Sequence, residues 1–143
     1  MNIMDPKIFD GGIHNDFRGS LTYFNDLAMN QAKRFYIIEN IDTEVVRAWQ
    51  GHKIEQKWFH VVSGSFKIVI VRPDNWNLPS PILNYHEFIL EARKPQVLHV
   101  PGGYATGFMA NSIASKVMVF SDFTVEESKN DDFRFDKGLW YNW

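Results

Sequence analysis

The sequence has 143 residues, enough for one domain with a buried core. Its net charge is −2, from 15 Lys and Arg against 17 Asp and Glu, which argues against a nucleic-acid backbone as the main partner. It contains no cysteine, so disulfides, thiolate catalysis and zinc ribbons are excluded. The apolar runs are too short for a membrane helix, and the first residues do not form a signal peptide, so we expect a cytoplasmic protein.

Short apolar runs alternate with turn residues along the chain, which is typical of an all-β sandwich or barrel. The pattern predicts strands at 35–40, 44–52, 56–63, 65–72, 85–90, 96–100 and 115–123. The two predicted strands beside Gly64 favour a β-hairpin. Helical candidates are few, namely 26–33 and a turn at 126–130. The sequence therefore predicts one all-β domain over 1–143, an antiparallel barrel with short peripheral helices.

The C-terminal segment 131–143 is unusually aromatic. It carries Phe133, Phe135, Trp140 and Tyr141 before the terminal Trp143. A solvated tail is not expected to hold so much apolar surface, so we expect the segment to pack on the barrel or on a partner subunit. Together with Trp58 and His60, which the strand alternation turns outward, this surface predicts a homodimer.

Two adjacent predicted strands carry polar side chains on the faces that alternation turns inward. Gln50 and His52 share one face of the first strand, and Lys57 and Phe59 share one face of the second. A lysine inside a barrel is rare without a function, so we expect Lys57 and His52 to line one cavity. The alternative is a structural ion pair between Lys57 and either Glu55 or Asp122.

Four segments carry a family likeness when they are read in order. They are DFRG at 16–19, RAWQGHK at 47–53, KWFHVVSGS at 57–65 and LHVPGGYATGF at 98–108. This set resembles the sugar-nucleotide branch of the cupins, which includes dTDP-4-dehydrorhamnose 3,5-epimerase and the dTDP-4-oxo-6-deoxyhexose 3,4-ketoisomerases. The resemblance implies a jelly-roll barrel, a homodimer with exchanged N-terminal strands, a dTDP-sugar substrate, and a place in deoxysugar or polysaccharide biosynthesis, including lipopolysaccharide. It implies no metal or redox cofactor.

The resemblance also implies roles for individual residues. His52 matches a histidine of the ketoisomerases and becomes the candidate base, while Lys57 matches a lysine beside the C4 carbonyl. Gln50 stands where both families have a histidine, and it is expected to hold the developing enolate together with Lys57. The implied substrate-binding residues are Asp16, Arg18, Tyr23, Arg47 and Tyr104, with Arg18 on the diphosphate and Arg47 near the sugar or phosphate.

The departures from the family patterns leave more than one function open. Gln50 cannot abstract a proton at neutral pH, Thr106 replaces a histidine, and Met118 falls where the epimerases carry a tyrosine acid. The first hypothesis is an isomerase or epimerase that removes a proton alpha to the ketone of a dTDP-4-keto-6-deoxy sugar. The second is a non-catalytic cupin that binds a nucleotide sugar or glycan. An unrelated small-molecule binder or a structural partner in a polysaccharide pathway completes the alternatives.

A metal centre is not expected. Metal-binding cupin barrels use histidines and an acidic residue, but here Gln50 and Lys57 occupy two of the ligand positions. A protonated lysine cannot bind a divalent cation and repels it.

Overall fold

The computed structural model describes residues 4–143 and is built mainly from two five-stranded antiparallel sheets. The first sheet has the order β1 (Lys7–Asp10), β9 (Gln96–Val100), β6 (Lys57–Ser63), β11 (Lys116–Ser121) and β4 (Arg34–Glu39). The second has the order β12 (Phe133–Arg134), β5 (Val46–His52), β10 (Tyr104–Ala110), β7 (Ser65–Val71) and β8 (Tyr85–Glu91). A separate hairpin joins β2 (Gly12–Asp16) to β3 (Gly19–Tyr23), and one helical turn, α1, spans Val125–Ser128. The predicted all-β class is confirmed, although the ladders form two sheets and not one closed barrel.

The core lies between the two sheets. Alternate residues of the first sheet, such as Phe59 and Leu98, meet alternate residues of the second, such as Ile68 and Phe108, and all four are buried. Burial of aliphatic and aromatic side chains is the main stabilising contribution in such a sandwich. Since successive strand residues face opposite sides, the same spacing also decides which polar groups face the space between the sheets.

The C-terminal segment packs on the outer face of the second sheet. Trp49 and Phe135 exchange backbone hydrogen bonds of 3.1 and 3.2 Å, which extends the pairing of β12 with β5. The indole of Trp140 lies 5.2 Å from that of Trp49 and is buried. The aromatic surface of the segment is therefore covered to a large extent by the chain's own second sheet.

The predicted hairpin around Gly64 is wrong. The strands β6 and β7 belong to different sheets, and the turn carries the chain from one sheet to the other. Gly64 has a φ of +71°, and a Cβ there would collide with the side chain of Ser115. The sequence correctly predicted a tight turn, but the strands on either side of it do not pair with each other. β6 pairs with β9 and β11, and β7 pairs with β10 and β8.

The predicted helix at 26–33 is also wrong. The segment has bends and a single turn in which the N–H of Ala32 donates to the carbonyl of Met29. A stretch of eight residues does not stabilise a helix by propensity alone, and this one packs no apolar face on the sheets. The turn predicted at 126–130 does correspond to α1, whose N-terminus is capped by Thr124. Within residues 4–143, no helix has the length and apolar character needed to cross a membrane.

Candidate active site

A cavity of about 410 Å³ opens between the two sheets. Its polar wall is made by six side chains, Tyr36, Arg47, Gln50, Lys57, Thr106 and Arg134. Arg47 and Arg134 are exposed, whereas Lys57 is 5% exposed. The cavity thus leads from a cationic rim to a buried amine.

Lys57 is held in this cavity by a short polar chain. Its Nζ donates a hydrogen bond of 3.0 Å to Oε1 of Gln50, and Nε2 of Gln50 donates one of 3.1 Å to Oδ1 of Asp132. In the described part of the chain, no carboxylate lies within ion-pair distance of the Lys57 amine. Glu55 instead pairs with Arg34, and Asp122 accepts from Gln56. The structural ion pair considered for Lys57 does not form.

The environment of Lys57 makes its amine a weaker base than that of an exposed lysine. Burial lowers the pKa of Lys57 to about 8, and the positive charges of Arg34 and Arg134 act in the same direction. The carboxylates of Glu55 and Asp132 oppose this shift without cancelling it. A buried amine with such a pKa exchanges protons readily near neutral pH.

Tyr36 brings a hydroxyl group to the same cavity. It lies on β4, and the Lys57 amine is 5.9 Å from the centre of its ring. Burial raises the pKa of Tyr36 to about 12, so the hydroxyl stays protonated and is a hydrogen-bond donor. Tyr36 was not among the predicted site residues. Because Tyr36 and Ile38 share one face of β4, strand alternation was the signal that could have placed Tyr36 inward.

His52 does not line this cavity, contrary to the expectation. Its Nδ1 lies 2.6 Å from the carbonyl oxygen of Asp131, and because a carbonyl only accepts, Nδ1 carries the proton. Nε2 therefore holds the lone pair, but it is buried and has no partner within residues 4–143. Burial and the charge of Lys57 lower the pKa of His52. The strand alternation placed His52 on the correct face of β5, but the bond to Asp131 fixes the ring among buried groups beyond the cavity wall.

Asp131 organises the loop that connects β5 with β6. Its carboxylate accepts three backbone hydrogen bonds, of 2.8, 2.9 and 2.8 Å, from the N–H groups of Lys53, Ile54 and Glu55. This arrangement sets the position from which Lys57 enters the cavity. Asp131 and Asp132 were not predicted, since both are remote in sequence from the segments that they contact.

The rim of the cavity offers an unpaired cation. Nε of Arg47 donates to Oδ1 of Asn40 at 2.7 Å, and no carboxylate of the described residues lies within 4 Å of its guanidinium group. Arg134 is different, because it forms an ion pair of 2.8 Å with Asp132. Arg47 therefore remains available for an anionic ligand at the rim.

The other predicted binding residues lie away from the cavity. Asp16, Arg18 and Tyr23 belong to the separate hairpin, where Arg18 pairs with Asp16 at 2.7 Å. Tyr104 is buried, and its hydroxyl donates to the carbonyl of Met4 and accepts from Arg72. Within one chain, the structure thus brings together Arg47, Gln50 and Lys57 and leaves these four residues outside.

No family model and no curated protein matches the chain. Solved structures do match. A 3,4-ketoisomerase from Helicobacter canadensis is 25% identical, with 92% of each chain covered and a TM-score of 0.72. A dTDP-4-dehydrorhamnose 3,5-epimerase from Bacillus anthracis is 22% identical over 100% of this chain and 87% of its own, with a TM-score of 0.75. The fold is that of the sugar-nucleotide cupins. The expected resemblance is confirmed at the level of the fold.

A third similar structure was solved with a ligand. It is a mutant 3,4-ketoisomerase from Thermoanaerobacterium thermosaccharolyticum, with one histidine replaced by asparagine, in complex with TDP-4-keto-6-deoxyglucose. That protein is 19% identical over 91% of this chain and 87% of its own, with a TM-score of 0.72.

Residues 4–143 of the present chain contain no group of three His, Cys, Asp or Glu side chains arranged to hold a metal ion.

Proposed function

We propose that this sugar-nucleotide cupin is an isomerase or epimerase that acts on a dTDP-4-keto-6-deoxy sugar. The observation that carries the proposal is the buried Lys57 amine, held by Gln50 in a cavity between the two sheets. A buried, hydrogen-bonded amine without a carboxylate partner has no evident structural role, since burying it is unfavourable for folding. The fold, shared with dTDP-sugar ketoisomerases and epimerases, supports the substrate class.

The cavity suits chemistry at a carbon next to a ketone. Removing a proton there places negative charge on the ketone oxygen, and donors positioned in a water-poor site stabilise that charge. The Tyr36 hydroxyl and the Lys57 amine are such donors in the buried part of the cavity. Of the three predicted catalytic residues, Lys57 and Gln50 are proposed to act in the cavity, whereas His52 lies outside it.

The cationic rim suits the other end of the substrate. Arg47 is exposed and has no carboxylate partner among the described residues, so it is proposed to bind the diphosphate or the adjoining sugar. Arg18 remains part of the proposal as a residue delivered by a second subunit. A cytoplasmic location for this reaction is part of the proposal.

The test is incubation with dTDP-4-keto-6-deoxyglucose in deuterated water. We expect solvent deuterium to appear at a carbon adjacent to the ketone, and NMR will identify both the carbon and the product. Binding of dTDP without any exchange would contradict the proposal and leave the non-catalytic, nucleotide-sugar-binding alternative.

The protein is expected to form a homodimer in solution. The β2–β3 hairpin pairs with no other strand of the described chain, and an isolated hairpin is marginally stable in water. It exposes Phe17 and Leu21, and the edge strand β4 exposes Phe35 and Ile37. Trp58 was expected to contribute to this apolar surface, but it is buried against His99. Light scattering at micromolar concentration should give twice the chain mass, whereas a monomer mass would contradict the prediction.

Turnover is expected to be insensitive to chelators. The polar wall of the cavity presents the cationic side chains Lys57, Arg47 and Arg134, and these repel a divalent cation. The rate after dialysis against EDTA should stay within about twofold of the untreated rate. Loss of a catalytic metal would lower it far more, because such a metal stabilises the transition state by several kcal/mol. A large loss that added divalent cation restores would show the prediction to be wrong.

A further inference from the structure

The groups that line the cavity differ in their capacity to accept a proton from carbon. The guanidinium groups of Arg47 and Arg134 are donors without an acceptor site, and Gln50 and Thr106 carry no basic group. Tyr36 keeps its proton because burial raises its pKa to about 12. Of the described residues that line the cavity, this leaves Lys57 as the group able to take up a proton near neutral pH.

The tyrosine hydroxyl and the lysine amine belong to the same wall of the cavity. Tyr36 lies on β4 and Lys57 on β6, and both strands belong to the first sheet. From the second sheet, β5, β10 and β12 contribute Thr106 and the two arginines, while Gln50 of β5 reaches across to hydrogen-bond the Lys57 amine. A sugar in the cavity would therefore meet Tyr36 and Lys57, the two groups proposed for the proton chemistry, from the side of the first sheet.

We propose that Lys57 is itself the proton-transferring group and moves a proton between two neighbouring carbons on one face of the sugar, so that the reaction is a ketoisomerisation and not an epimerisation. This inference rests on the proposed function. Inversion at a carbon requires a proton to leave one face and return to the other. Moving a ketone to the next carbon requires one face only.

The steps balance without any further reactant. The neutral amine of Lys57 takes the proton from C3, the electrons of that C–H bond form a C3–C4 double bond, and O4 becomes negative. The hydroxyl on C3 passes its proton to O4, next to the Tyr36 donor. The Lys57 ammonium then returns a proton to C4 while the carbonyl forms at C3, and the amine is neutral again.

The charges around Lys57 are consistent with an amine that cycles between its two forms. Arg34 and Arg134 approach it from β4 and β12, and His52 from β5, while Glu55 and Asp132 supply the opposing carboxylates from the neighbouring loops. Burial lowers the pKa of Lys57 to about 8. The Gln50–Asp132 chain accepts one hydrogen of the amine and orients it in both protonation states.

The pH dependence of the reaction with dTDP-4-keto-6-deoxyglucose distinguishes a base from a fixed charge. If neutral Lys57 is required, kcat/KM rises about tenfold per pH unit and levels off near the pKa of Lys57. The expected product is the 3-keto sugar, with solvent deuterium at C4 when the reaction is run in deuterated water. A rate that falls above pH 8 would mean that the ammonium acts only as a charge, and a C3 or C5 epimer would mean that both faces are used. Either result overturns the inference.

Two further measurements do not depend on that profile. Lys57→Arg keeps the charge but cannot accept a proton, so we expect a loss of at least about 10²-fold in kcat with dTDP binding retained. A nearly active variant overturns the inference.

If this variant does not fold, wild-type enzyme with substrate deuterated at C3 gives the answer. An ammonium has three equivalent hydrogens, so C4 of the product should retain at most about one third of the label, and a larger fraction overturns the inference. Absence of both exchange and conversion at every pH would instead refute the proposed function, and the inference with it.

Discussion

Replacing Lys57 with methionine is expected to reduce turnover of dTDP-4-keto-6-deoxyglucose by about 10²–10⁴-fold, the usual contribution of a positioned acid–base group. Methionine fills much of the same volume but removes both the amine and its charge. The same substitution should stabilise the fold at pH 7 by about 2 kcal/mol, because a buried ammonium without a carboxylate partner is unfavourable in the folded state. Activity and stability are therefore expected to change in opposite directions, which is typical of a functional residue and not of a structural one.

The matched control is Lys116→Met, on the half-exposed surface of β11. It removes the same charge from the chain and should leave turnover unchanged. Steady-state kinetics and denaturant unfolding of both variants make the comparison. A Lys57→Met protein that is less stable than wild type yet nearly as active would place Lys57 in the framework of the fold and not in its chemistry.

Replacing Asp131 with alanine is expected to destabilise the protein by about 3 kcal/mol. The substitution leaves three backbone N–H groups, those of Lys53, Ile54 and Glu55, without their acceptor, and buried unsatisfied donors are unfavourable by about 1–3 kcal/mol each. Water will satisfy part of this loss, because the loop is only partly buried. Urea unfolding should show a lower midpoint with an unchanged m-value.

Asp26→Ala serves as the comparison, since Asp26 is exposed and lies in the segment 26–33 that forms no helix. Its effect should stay within about 0.5 kcal/mol, as is usual for surface substitutions. Because Lys57 follows the loop directly, Asp131→Ala should also lower kcat in the fraction that remains folded. Equal midpoints for the two variants would show that the hydrogen bonds to the loop contribute nothing to stability.

The sequence alone placed most of the strands correctly. Seven strands were predicted, and they correspond to the observed strands β4 to β9 and β11, with ends that differ by at most two residues. The reason is that strand alternation and turn residues are local signals. The strand β10 was not predicted as a strand, because Gly107 and the small residues at 104–110 give a weak apolar pattern. Its glycine is needed for close packing, since a Cβ at Gly107 would meet Trp143 and Ala48.

The same local rule explains which site residues were found. Gln50 and Lys57 were correctly expected on the inner faces of neighbouring predicted strands, and the structure joins them by a hydrogen bond. His52 obeyed the alternation, but it does not line the cavity. Its ring is fixed by Asp131, a contact across 79 positions that no strand pattern encodes.

What the sequence by itself determined is therefore the β content, the residues of the inner faces, and the presence of an amine among them. Only the tertiary structure decided that the turn at Gly64 connects two sheets, that Asp132 reaches Gln50 across 82 positions, and that Tyr36 and Lys57 share one wall. The physical reason is that alternation is fixed by the geometry of each residue and its neighbours. Strand partners and polar contacts are fixed by the burial and hydrogen bonding of the whole chain at once.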